Sequence, residues 1–274
     1  MKKTLWTLAS MAALVVALAT CAHAIPSLAG PTGIVSVPNT AITPQTELQL
    51  ALGYQPFEMY ADNDATAWAL QAVSGVSENA ELWAAYSRIH DGADTDIWQI
   101  GGKQRLRGDW PGDMEVAFGG SIGRWTHAFG MPWTGSMGMY DADFIKLYAV
   151  ASREMSRSAA AGWRRGPLPT RIIADAGLLY ISIDSDAGGS ESTLRPFLAL
   201  EIIQGTSVWG IEYRSRDRDV DEKGVFSALL RRPVGRDTYL EIGTTNASPI
   251  GLGLEDQDFF VRVGIDFPLE QRVY

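Results

Sequence analysis

Twelve times along this chain, over stretches of about eight to ten residues, apolar side chains alternate with polar or small ones, and Gly, Asp, Asn, Pro or Ser flanks each stretch. A period of two gathers the apolar residues onto one face of an extended strand, a spacing that a helix cannot use. The stretches lie near residues 46–54, 67–75, 80–88, 96–105, 113–122, 143–153, 172–183, 194–203, 207–214, 224–232, 237–245 and 258–267. In "FFVRVGIDF", Val261, Val263, Ile265 and Phe267 share one face, against Phe260, Arg262, Gly264 and Asp266 on the other. Trp209, Ile211 and Tyr213 oppose Gly210, Glu212 and Arg214 in the same way.

The links between stretches carry a second pattern. Those near 76–79, 106–112, 204–206 and 233–236 are short, whereas those near 55–66, 89–95, 123–142, 184–193, 215–223 and 246–257 are mostly longer, polar and acidic. Short turns at one end and long loops at the other are the plan of an antiparallel transmembrane β-barrel, here of about twelve strands over residues 46–267 with a tail at 268–274. The link at 154–171 is long on the short side, which fits either a periplasmic excursion or an unrecognised strand pair. Alternation by itself also suits a soluble sandwich or propeller.

Upstream of the strands, Lys2 and Lys3, an apolar run from Leu5 to Ala19, and Ala22-His23-Ala24 form an export signal over residues 1–24. Cys21 leaves a lipoprotein signal as the rival, with Thr20 a poor residue before a lipidated cysteine. Cleavage after Ala24 removes the only cysteine, which excludes disulfide scaffolds, thiol enzymes and cysteine-held zinc. The formal charge of −9 falls to −11 without Lys2 and Lys3, a balance opposed to nucleic-acid binding. No apolar run outside the signal approaches the ~20 residues of a membrane helix.

The faces assign roles to side chains. Tyr54, Trp68, Tyr86, Trp98, Trp209, Tyr213 and Phe267 fall on the apolar, lipid-facing side, several near strand ends, where aromatic rings settle at a bilayer interface. Glu47, Gln71, Glu81, Gln99, Lys103, Glu115, Lys146, Glu201, Glu212, Arg214, Glu241 and Arg262 fall on the other side, facing a wet lumen.

Between signal and first strand, residues 25–45 form a lead-in on the periplasmic side. Pro26, Pro31, Pro38 and Pro44 remove backbone donors and exclude an inner ladder strand, and Gly30 and Gly33 allow tight bends. Ile34, Val35, Val37 and Ile42 are more apolar than a linker needs, so the segment is expected to pack, folded back towards the barrel mouth. Ser27-Leu28, Gly30, Thr32-Gly33-Ile34 and Pro38 with Thr40-Ala41 resemble the leader of bacterial outer-membrane barrels associated with exopolysaccharide biosynthesis. "RPFLALEIIQGTSVWGIEYR" is similar to a hairpin of those proteins. The likeness covers some forty residues, departs from the leader pattern at Ile34-Val35 and Asn39, and supplies no catalytic residues. It implies outer-membrane lipid and exopolysaccharide, or its export machinery, as partners.

Enzyme-like patterns are weak. Gly119-Gly120-Ser121-Ile122-Gly123 matches a nucleophile elbow, yet Arg124-Trp125-Thr126-His127 does not read as the helix such an elbow requires. The bland alternative is small residues on a curved strand. His90 and His127, the only histidines after the signal, are expected in long-side loops and are the pair for a barrel-embedded hydrolase acting on lipid or glycan. Asp91, Asp94 and Asp96, then Asp184, Asp186 and Glu191, then Asp217, Asp219, Asp221 and Glu222 are expected in loops or at their edges, without a full calcium-loop pattern. The sequence thus favours a non-enzymatic barrel with a porin-like, scaffold or secretion-accessory role, without cofactor or metal. The other alternative is a secreted β-protein that binds carbohydrate through Trp.

Overall fold

The computed structural model describes residues 33–59, 63–90, 94–129, 139–155, 170–186, 189–216, 223–247 and 253–269. The signal at 1–24, Cys21 and much of the expected excursion at 154–171 lie outside them.

Each alternating stretch is a strand. In chain order they are β1 (Glu47–Met59), β2 (Asn63–Ser77), β3 (Ala80–His90), β4 (Asp94–Trp110), β5 (Met114–Phe129), β6 (Met139–Glu154), β7 (Thr170–Ser185), β8 (Gly189–Gln204), β9 (Ser207–Arg214), β10 (Val225–Pro233), β11 (Thr238–Ala247) and β12 (Gly253–Pro268). Every strand pairs antiparallel with its sequence neighbours, and β1 pairs with β12 from Glu47↔Pro268 to Tyr54↔Val261, so the sheet closes on itself. Neither a sandwich nor a propeller is formed. β6 and β7 pair directly from Ala142↔Ser185 to Glu154↔Ile173, so no further strand pair enters the ring between them.

The long-side loops are shorter than the sequence suggests. The arms β3 and β4 continue to His90 and from Asp94, and β7 and β8 meet across residues 186–188. Charged residues at these ends keep the period of two, so pairing persists where hydrophobicity alone no longer marks a strand. At the opposite end, Gly205 takes φ 60° in the two-residue turn joining β8 to β9, a conformation that glycine adopts without steric cost.

Exposure inverts the pattern of a water-soluble domain. Leu70, Leu82, Ile122, Leu147, Leu194 and Leu198 on the outer wall are each about half exposed or more, forming an apolar band around the ring. The inner wall is where side chains are buried, and it is packed. Six inward rings each lie over the glycine directly opposite on the next strand: Trp83 over Gly101, Tyr148 over Gly119, Phe144 over Gly123, Phe197 over Gly177, Phe260 over Gly243 and Tyr239 over Gly264. A β-carbon at Gly243 would stand 2.8 Å from the Phe260 ring, so glycine is what lets the ring lie against the wall. Gly119 and Gly123 of the elbow-like string serve this purpose within β5, which overturns the elbow: the strand runs on to Phe129, where an elbow requires a helix.

Candidate functional site

The space inside the ring is occupied by the chain's own lead-in. Residues 33–46 enter the barrel ahead of β1 and turn back on themselves through a Gly33↔Pro38 bridge closed by a hydrogen bond from the Ile34 N–H to the Val37 carbonyl, 3.2 Å. Ile34, Val35 and Val37 are at most 2% exposed and pack with Leu229, Phe260 and Phe197 of the wall. Two wall glycines make room: a β-carbon at Gly210 would stand 2.7 Å from Ile34, and one at Gly75 would overlap the carbonyls of Thr43 and Pro44.

Polar anchors hold this plug around the circumference. The turn points successive N–H groups of Val35, Ser36 and Val37 at the Glu212 carboxylate of β9, at 2.8 to 3.2 Å. Successive amides aimed at one point make a nest for an anion. The hydroxyls of Ser36 (2.5 Å) and Ser227 (2.8 Å) complete the shell. Elsewhere, Thr43 donates its N–H to Glu81 of β3 (2.9 Å), and Asn39 donates its side-chain amide to Glu201 of β8 (2.8 Å). Thr40 donates its hydroxyl to Glu115 of β5 (3.1 Å) and its N–H to Ser152 of β6 (3.3 Å). Lys103 of β4 and Arg231 of β10 donate to the carbonyls of Asn39 and Gly33.

Several charges of the inner wall are paired with one another as well. Lys103 lies 3.1 Å from Glu81 with both side chains fully buried. Glu241 receives Arg231 at 2.8 Å on one oxygen and Arg262 on the other, across three neighbouring strands. Lys146 donates to Gln99 (3.2 Å) and stands 5.1 Å from the centroid of the Phe144 ring. The charged side chains expected on the lumen face do line the inside of the ring. Those just named meet partners there among the described residues.

The assigned faces can now be located. Gln71, Glu81, Gln99, Lys103, Lys146, Glu201, Glu212, Arg214, Glu241 and Arg262 are buried on the inner wall. Glu47 is half-buried at the start of β1, and Glu115 stands at the mouth with its side chain 55% exposed. Trp68, Tyr86, Trp98, Trp209, Tyr213 and Phe267 are exposed on the outer wall, and the half-exposed Tyr54 packs on Trp68 with ring centroids 4.7 Å apart. Sequence reasoning missed Asp175, Arg195 and Arg231. On β7 the inner face also carries Leu179, Ile181 and Ile183, so parity did not mark Asp175 as inward.

The histidines lie in strands instead of the expected loops, while the described acids stand at or near the loop edges. His90 ends β3 and pairs with Asp94 of β4 at 2.8 Å, beside Arg88, which holds Asp96 at 2.7 Å. His127 lies within β5, Asp184 within β7 and Glu191 within β8; the His127 side chain, Asp91, Asp217, Asp219, Asp221 and Glu222 lie outside the described residues. Ser121 is buried on the inner wall, whereas His90 projects from the outer one, so these two do not form a dyad.

Between plug and wall, at the short-turn end, a vestibule of about 680 Å³ remains open. Asn39, Thr40 and Ile42 of the plug form one side; Arg105, Glu115, Glu154, Arg171, Asp175 and Glu201 contribute to the other. Arg105 and Glu115 pair at 3.5 Å, and Arg171 and Glu154 at 3.0 Å.

No protein-family model matches the chain, and no curated protein sequence matches it. Its architecture is similar to the translocator domain of the autotransporter NalP from Neisseria meningitidis, at 14% identity and a TM-score of 0.51 over 82% of this chain and 89% of that one. The KdgM porin in complex with disordered oligogalacturonate aligns at 8% identity and a TM-score of 0.48, over 81% of this chain and 99% of that one. Outer membrane phospholipase A from Escherichia coli aligns at 11% identity and 0.45, over 80% and 92%. The NalP likeness is one of fold: this chain has the fold of an outer-membrane β-barrel.

Proposed function

We propose that this chain is exported by a cleaved signal peptide and resides in the outer membrane as a non-catalytic barrel, sealed by its own residues 33–46. It serves there as a closed scaffold or secretion-accessory component in exopolysaccharide production. The carrying observation is the nest of three backbone N–H groups on Glu212, which anchors Ile34, Val35 and Val37 within the wall. A transport path along the barrel axis would have to displace that apolar segment and its anchors.

The apolar outer band and the aromatic rings at its edges support a lipid-embedded position, with outer-membrane lipid as the immediate surroundings. Short turns face the periplasm in such barrels, which sets the vestibule on the periplasmic side. Opposite faces for Ser121 and His90 favour a role without catalysis. The glycan association is supported by the leader resemblance of residues 27 to 41.

The test is a planar-bilayer recording of the purified full-length protein, with heat-dependent gel mobility as the check that the barrel is folded. Silent bilayers from folded protein are expected. A steady, large conductance would overturn the closed reading in favour of a pore.

A further inference from the structure

We infer that the vestibule at the short-turn end is a binding site for a segment of uncharged, hydroxyl-rich carbohydrate. The inference rests on the reading above, which places that end in the periplasm, but its warrant is the chemistry of the cavity wall. At about 680 Å³ the space falls within the roughly 300–1,000 Å³ of small-molecule sites.

Four of the rim charges form two ready-made pairs, Arg105 with Glu115 and Arg171 with Glu154, and Asp113 and Arg153 add one charge of each sign to the lining. A strongly charged ligand must break such pairs to use them. A sugar hydroxyl need not: it accepts from a guanidinium N–H and donates to the neighbouring carboxylate. Deeper in the wall, Asp175 is 2% exposed and accepts the Ser152 hydroxyl on Oδ1, while its Oδ2 has no hydrogen-bond partner among the described residues. A buried carboxylate oxygen left in this state is costly, and a donor brought by a ligand satisfies it. Ile42, Ile173, Ile203 and Val208 add apolar wall for the faces of sugar rings.

The plug takes part in this site. Asn39 and Thr40 line the cavity and also bind Glu201, Ser152 and Glu115, which line it too. Ligand hydroxyls at these carboxylates exchange with plug contacts, so occupancy of the vestibule and retention of the plug are linked through shared groups.

Isothermal titration calorimetry on full-length protein in detergent tests the inference with five probes: cellotriose, maltotriose, mannotriose, tri-galacturonic acid and fully deacetylated chitotriose. Saturable binding of at least one neutral trisaccharide is expected, at least tenfold tighter than either charged trimer. Arg171→Ala, at an exposed rim position, and the isosteric Asp175→Asn should each weaken that binding at least fivefold while leaving heat-dependent gel mobility unchanged. Absence of neutral-sugar binding, preference for a charged trimer, or equal affinity in the folded Arg171→Ala protein would overturn the inference. Bilayer recordings separate the two failures: a silent barrel without sugar binding removes the carbohydrate site alone, whereas a conducting barrel removes the closed reading.

Discussion

Glu212 and Ser36 stand 176 residues apart in the chain, yet the Ser36 N–H reaches both carboxylate oxygens, at 2.8 and 3.0 Å, and its hydroxyl donates at 2.5 Å. The contact joins the plug to the middle of the C-terminal half of the barrel, and it gathers three backbone amides and a hydroxyl of the plug on one side chain. Glu212→Ala leaves the amides of Val35, Ser36 and Val37 buried without their acceptor. The expected loss is on the order of 3 kcal/mol of plug retention, roughly a hundredfold in the ratio of seated to released segment. Transient conductance and new protease cleavage within residues 33–46 should appear in the variant and not in the parent. A variant as silent and as resistant as the parent would show that the nest does not hold the plug.

The ring-over-glycine pairs set a steric rule. Gly264 lies beneath Tyr239, so Gly264→Val should abolish the folded gel band or lower stability by about 1–3 kcal/mol. Combining it with Tyr239→Ala should restore part of the loss. Urea titrations in lipid vesicles check this, and additive effects of the two changes would refute it.

Glu241 neutralises two buried guanidinium groups. Glu241→Gln should cost about 3–5 kcal/mol, because Arg231 and Arg262 would remain buried and face each other without the carboxylate between them. Replacing Arg231, Glu241 and Arg262 together by Met, Leu and Met should retain most of the stability. The same vesicle titrations distinguish the two outcomes.

Leu147 projects from the outer wall within the apolar band. Leu147→Arg should destabilise the barrel in lipid by about 2–4 kcal/mol and Leu147→Phe hardly at all. A tolerated arginine would argue that this face does not meet hydrocarbon.

The twelve strands were legible because a single property, the period of two, repeats locally and needs no knowledge of partners. Tyr54, Trp68 and Trp98 could be given a face from their immediate neighbours alone. The plug was legible only as an excess: Ile34, Val35 and Val37 announced burial but not a destination, since their partners Glu212, Leu229 and Phe260 lie far along the chain. Asp175 was hidden by leucine and isoleucine on its own face. The ends of β3, β4, β7 and β8 were read as loops because charge had replaced hydrophobicity there while backbone pairing continued.

The seam between β1 and β12 also bears on assembly. Residues 33–46 run straight into β1, and the ladder from Glu47↔Pro268 to Tyr54↔Val261 is the closure that joins the two ends of the strand sequence. The apolar hairpin is thus tethered at the very edge where the ring closes. It travels with the first strand, and a segment that has come loose stays within reach of the mouth it came from.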